Sequence, residues 1–136
     1  AAVEAAISVC KEAGAKRAVA LDVSGPFHSP LMVAAAEEFA AALNDVKVVL
    51  PQTTVIQNVH AQPAVSVEEL RTNLVAQLSA PVRWTETIEK LVAEGVDQFI
   101  EAGPGSVLSG LVKRIARGTP TIALSSADGL TDAIAL

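Results

Sequence analysis

The chain has 136 residues, of which 51% are apolar, 18% are charged and 3% are aromatic. This length is typical of a single domain, and the high apolar fraction, with only seven Pro and eight Gly, excludes a disordered or collagen-like chain. Ten Lys and Arg against fifteen Asp and Glu give a net charge of −5, so we expect no nucleic-acid partner. No uninterrupted apolar run approaches the roughly 18 residues of a membrane span, so we expect no membrane association.

The single cysteine and the first residues bear on the origin of the chain. Cys10 cannot form an internal disulfide, which favours a reducing compartment, and we expect the cytoplasm. Residues 1–7 open inside a helical pattern with neither an initiator Met nor a capping residue, and they lack the features of a signal peptide. We therefore expect the chain to be a piece of a longer protein.

The first half of the chain alternates helical and extended patterns. Val3, Ile7 and Cys10 lie on one helical stripe, and Gly14 is placed to end that helix. The next patterns predict a strand over residues 17–23, a helix over 31–43, a short strand over 46–50 and an extended stretch over 53–58. The Ser-Gly-Pro break at 24–26 indicates a subdomain boundary.

The second half begins with a capping box, in which Ser66 accepts from the N–H of Glu69 and the Glu69 side chain reaches back to Ser66. This box opens a helix that runs to about residue 78. The later patterns predict helices over 84–94 and 106–117, strands over 96–101 and 121–124, and a last helical turn from Asp128. Strands that alternate with helices favour a largely parallel sheet, so the predicted fold class is α/β.

A histidine lies on the loop between the strand over 17–23 and the helix that follows, where α/β proteins place their chemistry. His28 stands between Pro26 and Pro30, which leave the loop few conformations. A histidine on such an ordered loop can act as a general base or acid. From composition alone, an exposed loop histidine without a role is the more frequent case, so both interpretations stay open.

Four segments of the chain carry further motifs. They are residues 23–32 (VSGPFHSPLM), 57–59 (QNV), 77–84 (QLSAPVRW) and 101–111 (EAGPGSVLSGL). In this order they resemble the histidine segment, the strand ending in Asn, the Gln-Leu and Pro-Val-x-Trp block and the Glu-x-Gly-Pro-Gly-x-Val-Leu segment of malonyl-CoA:acyl carrier protein transacylases. The resemblance covers essentially the whole chain, and four ordered blocks are far more specific than one.

The resemblance implies an acyltransferase of fatty acid synthesis that moves malonyl from malonyl-CoA to the acyl carrier protein thiol. A serine attacks the thioester, and the histidine, here His28, takes the serine proton and returns it to the leaving thiol. Gln77 matches the glutamine that orients this imidazole through its backbone carbonyl or its side chain. Phe27 and Asn58 match substrate-contacting positions. The Phe27 ring would fill the volume that a methyl-branched acyl group needs, while simple loop packing is the alternative role.

The resemblance also implies a fold and a set of partners. The fold is a hydrolase-like acyltransferase large domain with a largely parallel sheet, accompanied by a small ferredoxin-like subdomain. Residues 1–24 would end that subdomain, and residues 25–136 would be the C-terminal part of the large domain. The implied partners are malonyl-CoA, the acyl carrier protein and the N-terminal half of the enzyme. No metal or redox cofactor is implied, since CoA enters as a thioester substrate.

The chain departs from the family pattern in three respects. No serine has Gly at both flanking positions of a Gly-x-Ser-x-Gly elbow. The Gly-Gln-Gly segment and the arginine that would clamp the malonyl carboxylate are also missing. All three features precede the histidine in family members, so we expect a C-terminal portion that supplies the base and is inactive alone. Two alternatives are the tail of a polyketide synthase acyltransferase domain and a non-catalytic binding module on the same scaffold.

Two remaining motifs favour structural roles. The loop Gly103-Pro104-Gly105 resembles a dinucleotide-binding turn, but Leu108 replaces the third glycine and Pro104 removes a donor, so we interpret it as a tight turn. A basic cluster lies near a helix end and consists of Lys113, Arg114 and Arg117. Its two possible roles are stabilisation of the helix dipole and docking of an acidic carrier protein, and we favour the first. No His, Cys or Asp pair has metal-ligand spacing, so we expect no metal site.

Overall fold

The computed structural model describes residues 2–125. The helices are α1 (Ala2–Glu12), α2 (Val33–Asn44), α3 (Val67–Ala76), α4 (Trp84–Ala93) and α5 (Val107–Ile115), and a 3₁₀ turn (Pro30–Met32) precedes α2. The strands are β1 (Ile56–Gln57), β2 (Gln62–Pro63), β3 (Phe99–Ala102) and β4 (Thr121–Leu124). Within this range, no helix has the length and apolar content that a membrane crossing requires.

The strands β3 and β4 form a parallel pair, and α5 connects them. Phe99 lies opposite Thr121 in this register. A parallel connection requires a crossover, and a helix packed on the pair supplies it. The core of this unit consists of Ile88, Val112 and Ala116, which are buried between α4 and α5. This β–α–β unit confirms the α/β class.

Two predicted strands do not form within residues 2–125. The segments 17–23 and 46–50 contain no strand. In the first segment Val19, Leu21 and Val23 expose 55%, 77% and 60% of their surface. A strand needs a neighbour that completes its ladder of hydrogen bonds, and no described segment pairs with either stretch.

The extended stretch predicted over 53–58 is also shorter than expected. It contracts to β1, which pairs antiparallel with β2 and places Ile56 opposite Pro63. Among residues 2–125 the largely parallel sheet is therefore represented by β3 and β4. The helical turn predicted from Asp128 lies outside the described residues.

The capping box at the start of α3 forms with one difference. Ser66 Oγ accepts from the Glu69 N–H at 3.0 Å, as predicted. The Glu69 carboxylate accepts from the N–H of Val65, at 2.9 Å, and not from that of Ser66. The hydrogen bond from the Val65 N–H is the main cause that lowers the pKa of Glu69. Burial raises this pKa, and the contact with His60 lowers it further.

Helix α3 is tied to the end of α2. Ala36 and Leu43 on α2 and Leu70 on α3 are buried apolar residues. The Arg71 guanidinium donates to the carbonyls of Leu43 and Val46. Carbonyls at a helix end lack partners within the helix, so this arginine acts as a cap from a neighbouring element. The contact fixes α3, whose far end forms the candidate site.

The start of α5 is capped by a strand residue. The Glu101 carboxylate on β3 accepts from the N–H of Leu108 at 3.1 Å and from that of Ser109 at 2.7 Å. The pKa of Glu101 is lowered first by the hydroxyl of Ser109, then by the Ser109 N–H and least by the Leu108 N–H. Burial has the opposing effect. Between Glu101 and α5, Gly103 and Gly105 have φ of 142° and 88°, values that glycine tolerates. The Gly-Pro-Gly loop is thus a turn that brings the carboxylate to the helix start.

We expect Glu101→Gln to lower the stability of the fold at neutral pH. The amide keeps one acceptor oxygen for two N–H groups and loses the charge that favours a helix N-terminus. The folded-state pKa lies below the ordinary value of 4.5. The stabilisation by the carboxylate is therefore present above pH 4.5 and is lost as the pH falls through the lowered pKa.

Thermal unfolding at about pH 7 and about pH 3 measures this effect. The midpoint of Glu101→Gln should lie below that of the parent at neutral pH, and the gap should narrow in acid. Glu89→Gln, on the exposed side of α4, is the matched control and should leave the midpoint unchanged at both values. A gap of equal size at both pH values would show that the charge of Glu101 has no part in the capping.

Candidate functional site

His28 lies on a loop with an unusual backbone. Its φ is 57°, in the left-handed region that costs a non-glycine residue about 1–3 kcal/mol. The His28 N–H donates to the Leu78 carbonyl at 3.1 Å, which ties the loop to the chain after α3. Ser29 Oγ donates to the Pro26 carbonyl at 2.7 Å, so the hydroxyl next to His28 serves the turn.

Two backbone carbonyls orient the imidazole of His28. Nδ1 lies 2.8 Å from the Gln77 carbonyl oxygen and 3.2 Å from that of Ala80. A carbonyl oxygen only accepts hydrogen bonds, so Nδ1 carries a proton, and in the neutral ring the lone pair lies on Nε2. His28 is exposed. The ring therefore presents a proton acceptor in a fixed tautomer, as a general base requires.

The carbonyls that meet His28 come from the end of α3. We call the carbonyls of Gln77, Leu78 and Ala80 the carbonyl cradle. Gln77 is the C-cap residue of α3, and Leu78 and Ala80 lie in the turn that follows it. Carbonyls at a helix C-terminus lack partners within the helix, so that of Gln77 is free to accept from the imidazole. This contact orients the ring, as aspartate does in a full triad.

The side chain of Gln77 has a different partner. Its Oε1 accepts from Asn58 Nδ2 at 2.9 Å. Of the two groups that could orient His28, the backbone carbonyl contacts the ring and the side chain faces Asn58. Three of the four predicted site residues, His28, Gln77 and Asn58, are thus linked in one chain of contacts.

Phe27, the fourth predicted site residue, lies next to His28 on the exposed loop. Its side chain is on the surface, with 53% of the residue exposed. The ring covers Gly25, where a Cβ would lie 3.5 Å from the ring Cζ. This contact is packing within the loop.

Known proteins provide an independent comparison. The chain is 51% identical over 115 residues to the malonyl CoA-acyl carrier protein transacylase of Haemophilus influenzae, a match that covers 85% of this chain and 37% of the relative. It is 48% identical over 132 residues to that of Bacillus subtilis, covering 97% of this chain and 42% of the relative. The chain corresponds to the C-terminal portion of these transacylases. No family model matches it.

Solved structures agree with this correspondence. A malonyl-transacylase in complex with its type II polyketide synthase acyl-carrier protein superposes with a TM-score of 0.92 at 45% identity, over 98% of this chain and 43% of that one. The transacylase of Xanthomonas oryzae pv. oryzae gives 0.92 at 37% identity, over 98% and 43%. The chain spans about two fifths of the length of the curated relatives it matches, 37% and 42%.

Sequence reasoning missed a polar network beside this site. Gln57, only 7% exposed, donates from Nε2 to the Leu70 carbonyl at 3.3 Å and accepts from Asn73 Nδ2 at 2.8 Å. His60 Nε2 lies 3.2 Å from Glu69 Oε1. Glu69, Asn73 and Gln77 are spaced four residues apart, so the period of a helix places them on one face of α3. That spacing was the available signal.

Proposed function

We propose that this chain is the base-carrying portion of a malonyl-CoA:acyl carrier protein S-malonyltransferase of fatty acid synthesis. The observation that carries the proposal is the contact of His28 Nδ1 with the Gln77 carbonyl at 2.8 Å, which in the neutral ring places the lone pair on Nε2. The similarity to the transacylases supports the same assignment. The remaining elements are the serine and the substrate, which this portion does not supply.

The reaction proceeds in two balanced halves. His28 Nε2 takes the proton of a serine from the N-terminal half as the serine oxygen bonds the malonyl carbonyl carbon. The C–S bond of malonyl-CoA then breaks, and the imidazolium returns its proton to the CoA sulfur. In the second half, Nε2 deprotonates the carrier protein thiol, whose sulfur takes the malonyl group, and the serine oxygen recovers the proton. No metal or redox cofactor takes part in these steps.

The N-terminal half completes the fold in this proposal. Residues 1–24 end a small ferredoxin-like subdomain, and residues 25–136 form the C-terminal part of a hydrolase-like large domain. The apolar segments 17–23 and 46–50 support the assignment, because both lack a strand partner among residues 2–125. They are the surfaces on which strands of the missing half would pair. The complete enzyme is expected to work in the cytoplasm.

The acyl carrier protein is the second partner. One solved structure similar to this chain is a malonyl-transacylase in complex with such a protein. The carrier in that complex belongs to a type II polyketide synthase. Polyketide synthesis is therefore the second candidate pathway class. The basic pair Lys113 and Arg114 lies in the last turn of α5. This turn is directed away from the carboxyl ends of β3 and β4, where α/β proteins place their sites. We therefore propose that this basic cluster stabilises the dipole of α5 and does not bind the carrier protein.

Phe27 and Asn58 are the substrate-contacting residues of the proposal. The open face of the Phe27 ring would border the acyl group beside the base. Asn58 Nδ2 is engaged by Gln77, so Oδ1 is the atom through which Asn58 would meet the substrate.

The test is transfer by the complete protein to the carrier protein, with malonyl-CoA and methylmalonyl-CoA compared by intact mass. The parent should transfer malonyl in preference. Phe27→Ser should reduce the ratio of kcat/KM values, since removing the ring makes room for a methyl group worth about 1–3 kcal/mol in discrimination. Phe39→Ser on α2 is the matched control. An unchanged ratio would assign Phe27 to loop packing, and a parent that transfers no malonyl would overturn the function.

A further inference from the structure

The turn after α3 is held at both ends by one residue. Asn58 Nδ2 donates to Gln77 Oε1 at 2.9 Å, at the start of the turn. The Asn58 carbonyl accepts from the Arg83 N–H at 3.0 Å, at its end. Residues 78–82 therefore form a loop that is closed across a single asparagine, and the carbonyl cradle lies at the start of that loop.

We infer that Asn58 is a positioning residue for His28, which closes this loop so that the cradle meets Nδ1. The inference rests on the proposed function, in which His28 is the base. It adds to the substrate contact proposed above, because Asn58 acts on His28 through its Nδ2, Gln77 and the backbone, while Oδ1 is the atom proposed to face the substrate.

The cradle needs such support because it lies at a helix end. Bonds in the last turn of a helix fray more readily than those in its middle. Within the loop, the Leu78 N–H donates to the Val75 carbonyl at 3.2 Å and the Ala80 N–H to that of Ala76 at 3.0 Å. These bonds shape the turn but connect it only to α3 itself. Asn58 connects it to β1.

Asn58 is itself anchored in the fold. It directly follows Gln57, whose buried side chain donates from Nε2 to the Leu70 carbonyl in the middle of α3. The position of Asn58 relative to α3 is therefore set before the turn begins. Through its hydrogen bonds, Asn58 then fixes the positions of Gln77 and Arg83. These residues in turn fix the carbonyl cradle that contacts His28.

The experiment compares three variants of the complete protein. Asn58→Ala removes the side-chain bond. Asn58→Asp retains it, because the Gln77 amide can turn over and donate Nε2 to the carboxylate. Asn73→Ala is the control, since it removes the contacts of the Asn73 amide with Gln57 Oε1 and His60 Nε2, both at 2.8 Å. It leaves the bond from Gln57 to the Leu70 carbonyl and the 78–82 loop in place.

The readouts are the ¹⁵N shifts of the His28 ring without substrate, assigned by their loss in His28→Gln, and kcat and KM for malonyl transfer. Asn58→Ala should show a mixture of ring tautomers and a kcat lowered about five- to tenfold, the scale of one net hydrogen bond. Asn58→Asp should restore both values. Asn73→Ala should keep the parent tautomer.

Two results would overturn the positioning role. One is an Asn58→Ala protein with the parent tautomer, whether KM rises or not; a raised KM would assign Asn58 to substrate binding. The other is an equal tautomer change in Asn73→Ala, which would attribute the effect to general loosening of α3. The spectra need no substrate, so a parent that transfers no malonyl would overturn the proposed function while the tautomer result stands.

Discussion

His28→Ala in the complete protein is expected to slow both acylation by malonyl-CoA and transfer to the carrier protein thiol by about 10²–10⁴-fold. Each half-reaction requires a proton to be removed from the attacking group, and this is the range in which a general base contributes. The geometry assigns that task to Nε2, since the cradle holds the proton on Nδ1. Single-turnover measurement of each half separates the two steps.

Controls for this prediction come from the same portion of the protein. His60→Ala removes the second histidine of the chain and should retain the parent rates. Gln77→Ala should cost less than His28→Ala, because the backbone carbonyl that contacts Nδ1 survives the substitution. A His28→Ala protein that retains full rate in either half would show that another residue is the base there.

The 136-residue chain alone is expected to transfer no malonyl group. Nothing in it matches the Gly-x-Ser-x-Gly elbow that makes a serine nucleophilic in this kind of fold. The serine nearest to the base in sequence, Ser29, uses its hydroxyl in a bond of 2.7 Å to the Pro26 carbonyl. Without a nucleophile, a correctly held base has no proton to remove.

Intact mass of the carrier protein after incubation with malonyl-CoA measures this outcome. The carrier should stay unmodified with the chain alone and become malonylated with the complete protein. Ser29→Ala in the chain is the matched control for an unexpected signal. Malonyl transfer by the purified chain that disappears in this variant would show that the chain carries its own nucleophile.

Local signals predicted the helices and the strands over 96–101 and 121–124, while the two earlier strands did not form within the described part of the chain. The capping box before α3 and the glycine after α4 act on neighbouring residues, so a pattern of a few residues suffices to place those helix ends. The strands predicted over 17–23 and 46–50 were wrong for residues 2–125, because a ladder of hydrogen bonds depends on a partner strand, and that partner is not set by the local sequence. Composition reports only the preference for an extended backbone.

The site was predictable to a similar depth. His28 stood out through its two prolines and the family resemblance, and Gln77 followed from the resemblance. Neither pattern decided whether the side chain or the carbonyl of Gln77 meets the imidazole, since this depends on how α3 ends against a loop about fifty residues earlier. The link from Asn58 to Gln77 arises in the same way from tertiary packing.

The tautomer of the His28 imidazole in the unsubstituted complete protein is the direct test of whether Nε2 can act as the base. ¹⁵N spectroscopy at neutral pH distinguishes a protonated ring nitrogen from one with a lone pair. In the neutral ring we expect the proton on Nδ1, held by the carbonyls of Gln77 and Ala80, and the lone pair on Nε2. A neutral ring with its proton on Nε2 would contradict this assignment, because the nitrogen that has to receive the serine proton would already carry one.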